Sequence, residues 1–144
     1  MKQVTLLALA TLLALSGCKK DLDLLSGKFF GIKEFLHSKN CDAKCGETAD
    51  CEGQVAGLEG LLDESNINED QNQFYVLDSK DEDEKIEVRV DSAISAEVFQ
   101  LIRFRNTNDV QVRGEIGGYD QPMNFSCKRG FFLDLVNTGD LILE

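Results

Sequence analysis

Sulfur is the element whose chemistry this chain could organise. There are five cysteines and a single histidine. Cys41, Cys45 and Cys51 stand close together, Cys127 lies far downstream, and Cys18 sits near the start. Thiolates can hold a metal, attack a substrate, or pair as disulfides. The run C-x3-C-x5-C lacks the paired C-x2-C spacing of zinc knuckles, which counts against a four-thiolate metal site. Nucleophilic catalysis has no better support, because His37 has no nucleophile motif near it. No G-x-S-x-G, H-E-x-x-H or phosphate-cradling glycine loop occurs. The expectation is therefore a non-enzymatic chain with no catalytic residues, no metal and no cofactor, and with His37 at the surface.

The remaining cysteine, Cys18, follows a leader. Met1 and Lys2 precede the apolar run Val4 to Leu15, which has the charged, apolar and small-residue zones of a secretory signal. At about a dozen residues that run is short of the roughly 20 that a membrane-spanning helix needs. It closes in Leu15-Ser16-Gly17-Cys18, an aliphatic residue, two small residues and a cysteine. This resembles the lipobox of bacterial lipoproteins at all its positions. The resemblance implies a signal peptide over residues 1–17 and a mature chain starting at a lipidated Cys18. Stable anchoring takes more than one acyl chain, so the multi-acyl group of that family would hold the protein on a membrane. Lys19 stands where inner-membrane retention signals place aspartate, so the same resemblance implies the cell envelope, with the outer membrane favoured.

Export changes the reading of the other four cysteines. An even number in a chain addressed out of the cytoplasm reads as two disulfides among Cys41, Cys45, Cys51 and Cys127, in one of three connectivities. Removing residues 1–17 takes away Lys2 and no acid, so the formal charge goes from -11 to -12 over the remaining 127 residues. That length suits one modest core. Such an acidic chain is a poor partner for a polyanion.

The elements that must position these residues follow from periodicity. Residues 18–27 read as a tether. Phe29, Ile32, Phe35 and Leu36, at spacings of three and four, predict an amphipathic helix over Lys28–Ser38. Residues 40–53 read as an irregular, disulfide-pinned connection, completing an extension over 28–53. Five strands are then expected: Gln54–Leu62, whose glycines signal a bulge or bend; Gln73–Asp78; Lys85–Asp91, with Ile86, Val88 and Val90 inward; Asp109–Ile116, broken by Gly117-Gly118 and Pro122; and Gly130–Val136, after a loop carrying Cys127. Between the third and fourth strands, Ser95–Arg103 predicts a short helix with Ser95 as its N-cap and Val98, Leu101 and Ile102 facing inward.

Strand order and motif carry a resemblance. Val55-x-Gly57-x-x-Gly60, then Phe74-Tyr-Val-Leu-Asp78, then Ile86-Glu-Val-Arg-Val90, then Val110-Gln-Val-Arg-Gly-Glu-Ile116 look like OB domains of the tRNA-anticodon-binding-like group and of small exported bacterial OB proteins. This implies a mostly β domain over 54–144, a small five-stranded OB-like barrel with one internal helix, behind the amphipathic N-terminal helix. It also implies a ligand face on the second and third strands, where Tyr75, Glu87 and Arg89 are the candidates. From Glu59 to Glu97, 13 acids stand against three bases, Lys80, Lys85 and Arg89. A phosphate backbone would be repelled there, because its binding depends on Lys and Arg. The acidic loops lack the register of an EF-hand and read as solvated turns. The expected role is a membrane-anchored binding module whose acidic face meets a protein or another cationic or polar envelope partner. The alternative is a structural or assembly subunit of an envelope complex, and the resemblance leaves oligonucleotide or oligosaccharide binding through the OB face as a third, weaker reading.

Overall fold

Alternating β-branched and aliphatic residues make one wet and one dry face per strand, and folding consists largely of bringing the dry faces together. The computed structural model describes residues 18–143, so the expected signal segment 1–17, with Leu15-Ser16-Gly17 of the expected lipobox, lies outside the described residues. The fold is mostly β. A seven-stranded mixed sheet carries two α-helices among the described residues. In chain order the elements are β1 (Phe29–Gly31), α1 (Ile32–Leu36), β2 (Val55–Leu62), β3 (Gln73–Leu77), β4 (Lys85–Val90), α2 (Ser95–Arg103), β5 (Asp109–Met123), β6 (Ser126–Leu135) and β7 (Leu141–Leu143).

The strands run in the order β1-β2-β3-β4-β6-β5-β7, and β2 also pairs with β5. Hydrogen bonding thus passes from β2 through β3, β4, β6 and β5 and returns to β2. β1–β2 and β4–β6 are parallel, and the other pairs are antiparallel. β2 serves two partners because it bends. Its first seven residues pair with β5, and only Leu61 and Leu62 pair with β3. Gly60 permits the changeover, since a Cβ there would collide with the Leu77 carbonyl.

Inside this circuit Phe74, Val76, Ile86, Val88, Val112, Ile116, Leu133 and Leu135 are fully buried. Each such side chain contributes about 1.5–3 kcal/mol relative to exposure. α2 adds Val98, Phe99 and Ile102, and α1 adds Ile32 and Phe35, both 0% exposed.

Several local expectations are corrected. Five strands become seven, because β1 and β7 are added. The helix expected over Lys28–Ser38 is a three-residue strand followed by a five-residue helix: Phe29–Gly31 pairs in parallel with Gly57–Glu59, and sheet pairing takes the first turn. In α2 it is Phe99, not Leu101, that turns inward, since Leu101 is 42% exposed. Ser95 lies inside the helix after the cap residue Ile94, and its hydroxyl donates to Asn72 Oδ1.

Gly117-Gly118 and Pro122 do not end the fourth strand. β5 continues to Met123 and forms a long hairpin with β6, turning at Asn124-Phe125. Pro122 is tolerated because β2 stops opposite Glu115, leaving that edge of β5 without a ladder to supply. Cys127 accordingly lies within β6 instead of in a loop. Residues 18–27 are not a free tether either, for Leu22 and Leu24 are buried and Leu22 N–H donates to Asn40 Oδ1 at 2.8 Å.

Candidate functional site

The four clustered and distant cysteines form two disulfides, Cys41–Cys51 and Cys45–Cys127, with Cα separations of 5.4 and 6.0 Å. Pairing consumes the thiolates that a metal would need. Cys45, Cys127 and Asp120 do lie together, but the two sulfurs are bonded to each other. Cys18 is exposed and has no sulfur partner. Arg129 reinforces the outer bridge: its guanidinium forks onto Glu52 at 2.9 and 2.6 Å and reaches Asp120 at 2.9 Å. The Arg129 hydrogen bond holds the Glu52 carboxyl below the usual carboxylate range. Asp120 is also held low, first by the Gly46 N–H and then by Arg129.

The three ligand-face candidates come together as one contact chain. Alternation in β3 buries Phe74 and turns Tyr75 outward. Tyr75 sits directly across from Glu87 in the β3–β4 register. Tyr75 OH donates to Glu87 Oε2 at 3.1 Å, and Arg89 Nε donates to Glu87 Oε1 at 2.6 Å. Burial, and then the charge of Glu87, push the Tyr75 phenol up. The Arg89 guanidinium lies 3.5 Å from the centre of the Phe132 ring. Phe132 stacks with Tyr119 at 6.4 Å. Gly117 and Gly130 make room for those two rings, which would clash with a Cβ at either position.

Two clefts flank this strip. The first, of about 780 Å³, lies between the cysteine loop and the β5–β6 hairpin, and its walls include Lys19, Lys44, Tyr75, Glu87, Met123 and Lys128. The second, of about 470 Å³, is lined by Arg89, Asp91, Glu115, Asp134, Val136 and Asp140 among others. Asp134 lies opposite both Arg89 of β4 and Glu115 of β5. Burial raises its pKa, and Glu115 and Glu87 push the same way against Arg89. Among the described residues no side chain or backbone donor hydrogen-bonds to the Asp134 carboxyl.

The acids counted along residues 59–97 behave differently. Asp78 is buried and accepts the backbone N–H groups of Lys33 and Lys80, at 2.8 and 2.9 Å. Asp63 accepts from the Ser65 N–H at 3.1 Å. Asp81 pairs with Lys33, Glu84 with His37, Glu69 with Arg103 and Glu64 with Arg105. Many of these acids are thus engaged by cations or N–H donors within the fold. The open carboxylates of the face are instead Glu115, Asp134 and Asp140, outside the stretch where the acids were counted. Alternation in Gly130-Phe-Phe-Leu-Asp-Leu was the available signal that Phe132 and Asp134 face outward. Their placement beside Arg89 depends on the β4–β6 register, which the sequence does not display. Compared with protein-family models, with curated proteins and with solved structures, the chain matches none.

Proposed function

We propose that this chain is a non-enzymatic binding module of the bacterial cell envelope, lipid-anchored through Cys18 after removal of residues 1–17, with the outer membrane as the favoured address. The five-strand circuit is read as an OB-like barrel. Its support is the order β2-β3-β4-β6-β5 returning to β2, the parallel β4–β6 pair, and a helix between β4 and β5. The two disulfides support an oxidising, exported setting.

Its ligand is a cationic or polar group of a protein partner, received in the cleft beside Arg89. The observation that carries this reading is Asp134, half-buried, facing Arg89 on one side and Glu115 on the other, and without a hydrogen bond to its carboxyl among the described residues. A partner's lysine or arginine entering there would supply hydrogen-bond donors and a second positive charge to balance Asp134, Glu115 and Asp140. Nucleic acid is disfavoured, because the open charges of the cleft are acids.

Pull-down with the lipidated protein from detergent-solubilised envelopes tests the proposal. A partner should be recovered with the native chain and lost with the Asp134→Asn, Glu115→Gln double variant. Unchanged recovery by that variant would overturn the acidic-cleft reading, and tight oligonucleotide binding at physiological salt would overturn the charge argument. Mass spectrometry of residue 18 tests the anchor directly.

A second reading, a structural or assembly subunit, has its own observation. Leu101 of α2, Phe104 just after it and Ile142 of β7 are exposed, and together with Leu141 and Leu143 they line an apolar cleft of about 480 Å³. Loss of the recovered partner on Leu101→Asp, with retention in the acidic-cleft variant, would favour that reading.

A further inference from the structure

We propose that the tip of the β5–β6 hairpin, Met123-Asn124-Phe125, is a second membrane contact that lies in the bilayer interface beside the anchor. The inference rests on lipidation of Cys18 and adds to it an orientation: which side of the domain faces the membrane.

The first argument is the lack of slack. Lys19 Nζ pairs with Asp42 at 2.6 Å, and Lys20 Nζ with Glu34 at 2.7 Å. The Lys20 carbonyl accepts from the Lys39 N–H at 2.9 Å, and Leu22 and Leu24 are buried. Each residue of extended chain reaches only about 3.3–3.6 Å. A lipid on Cys18 therefore holds the surface around Lys19 against the membrane.

The hairpin belongs to that surface. Lys19, Lys44, Met123, Ser126 and Lys128 line one cleft, and the Cys45–Cys127 bridge ties the cysteine loop to the arm of the hairpin two residues from Phe125. At the tip Phe125 is fully exposed and Met123 is 55% exposed. An aromatic ring and a flexible thioether held in water gain by entering the interface, where aromatic residues gather.

Charge complements the apolar tip. Lys44 and Lys128, next to the two bridged cysteines, have no ion-pair partner among the described residues. Of the nearby acids, Asp42 is engaged by Lys19, Asp120 by Arg129 and the Gly46 N–H, and Glu84 by His37, while Asp21 and Asp83 stay unpaired among the described residues. A lipidated chain of formal charge -12, once residues 1–17 with Lys2 are removed, still offers unpaired lysines beside its anchor, where anionic headgroups attract them.

The chain contains no tryptophan, so Phe125→Trp installs a single indole reporter. The full lipidated protein is reconstituted into vesicles of phosphatidylethanolamine and phosphatidylglycerol and recovered by flotation. Emission should shift to the blue and be quenched by brominated lipid, while Val136→Trp in the acidic cleft stays accessible to aqueous acrylamide. Protein that floats but keeps a water-exposed indole at 125 overturns the tip contact and leaves the anchor standing. Protein that does not float, with no lipid mass on residue 18, overturns the anchor and the tip contact with it. A blue shift that requires added envelope proteins and is absent with lipid alone also overturns it, and assigns the tip to a protein partner.

Discussion

Two disulfides leave the same short loop and act on different parts of the stability of this protein. Cys41–Cys51 spans ten positions and is sealed inside, with Cys51 0% and Cys41 6% exposed beside buried Ala49 and Leu22. Cys45–Cys127 spans 82 positions at the surface and joins the extension to the far hairpin. The inner bridge is a piece of core that happens to be covalent. The outer one is a cross-link whose main effect falls on the unfolded chain, where it forbids the most conformations.

The largest effect expected from this difference is on the outer bridge. Cys45→Ala with Cys127→Ala should lower unfolding free energy by about 4–5 kcal/mol in the chain-entropy model, a large share of a typical domain's stability. Cys41→Ala with Cys51→Ala should cost less through loop closure, about 3 kcal/mol. Urea unfolding of the two double variants ranks them, and the reverse order would break the comparison. Accessibility runs the same way as importance. Under mild thiol reductant, alkylation followed by mass spectrometry should trap Cys45 and Cys127 before Cys41 and Cys51.

A smaller effect concerns the ion pairs that share the work of the outer bridge. Glu52 and Asp120 have folded pKa values below their unfolded ones. Their contribution is therefore complete above the ordinary carboxylate range and is lost as pH falls through the folded values. Glu52→Gln should flatten that acid-side loss of thermal stability, most visibly in the variant lacking Cys45 and Cys127.

Asp134 supplies the smallest effect and the opposite sign. Its pKa is raised in the folded protein, so the native state binds the proton more tightly and stability declines as pH rises through that range. Asp134→Asn should raise the melting temperature slightly at neutral pH and make no difference in acid. A destabilised variant at neutral pH would mean that the carboxylate has a donor in solution.

Legibility followed the range of the interaction. In β3 and β4 the inward set Phe74, Val76, Ile86, Val88 and Val90 is readable because side-chain direction alternates with a period of two whatever the neighbours are. The stretch Lys28–Ser38 misled because Phe29, Ile32, Phe35 and Leu36 satisfy a helical stripe, while Phe29 to Gly31 had a strand edge to join. Gly117-Gly118 looked like an ending and instead makes room for Phe132 and the Glu52–Arg129 pair. The acid count located charge by position in the chain. The Lys33, Arg103 and Arg105 cations that offset part of it, and the His37 ring that meets Glu84, come from elsewhere in sequence.

By itself the sequence determined the properties that are local: a mostly β chain, the faces of its regular strands, a helix after β4, and four cysteines suited to pairing beside a fifth set apart after an apolar run. Tertiary structure decided which cysteines pair, that β5 and β6 continue into one long hairpin, and that Asp134 meets Arg89 and Glu115. Those are matters of register and of loop closure over tens of residues. Their free energies come from contacts between segments that no local pattern encodes.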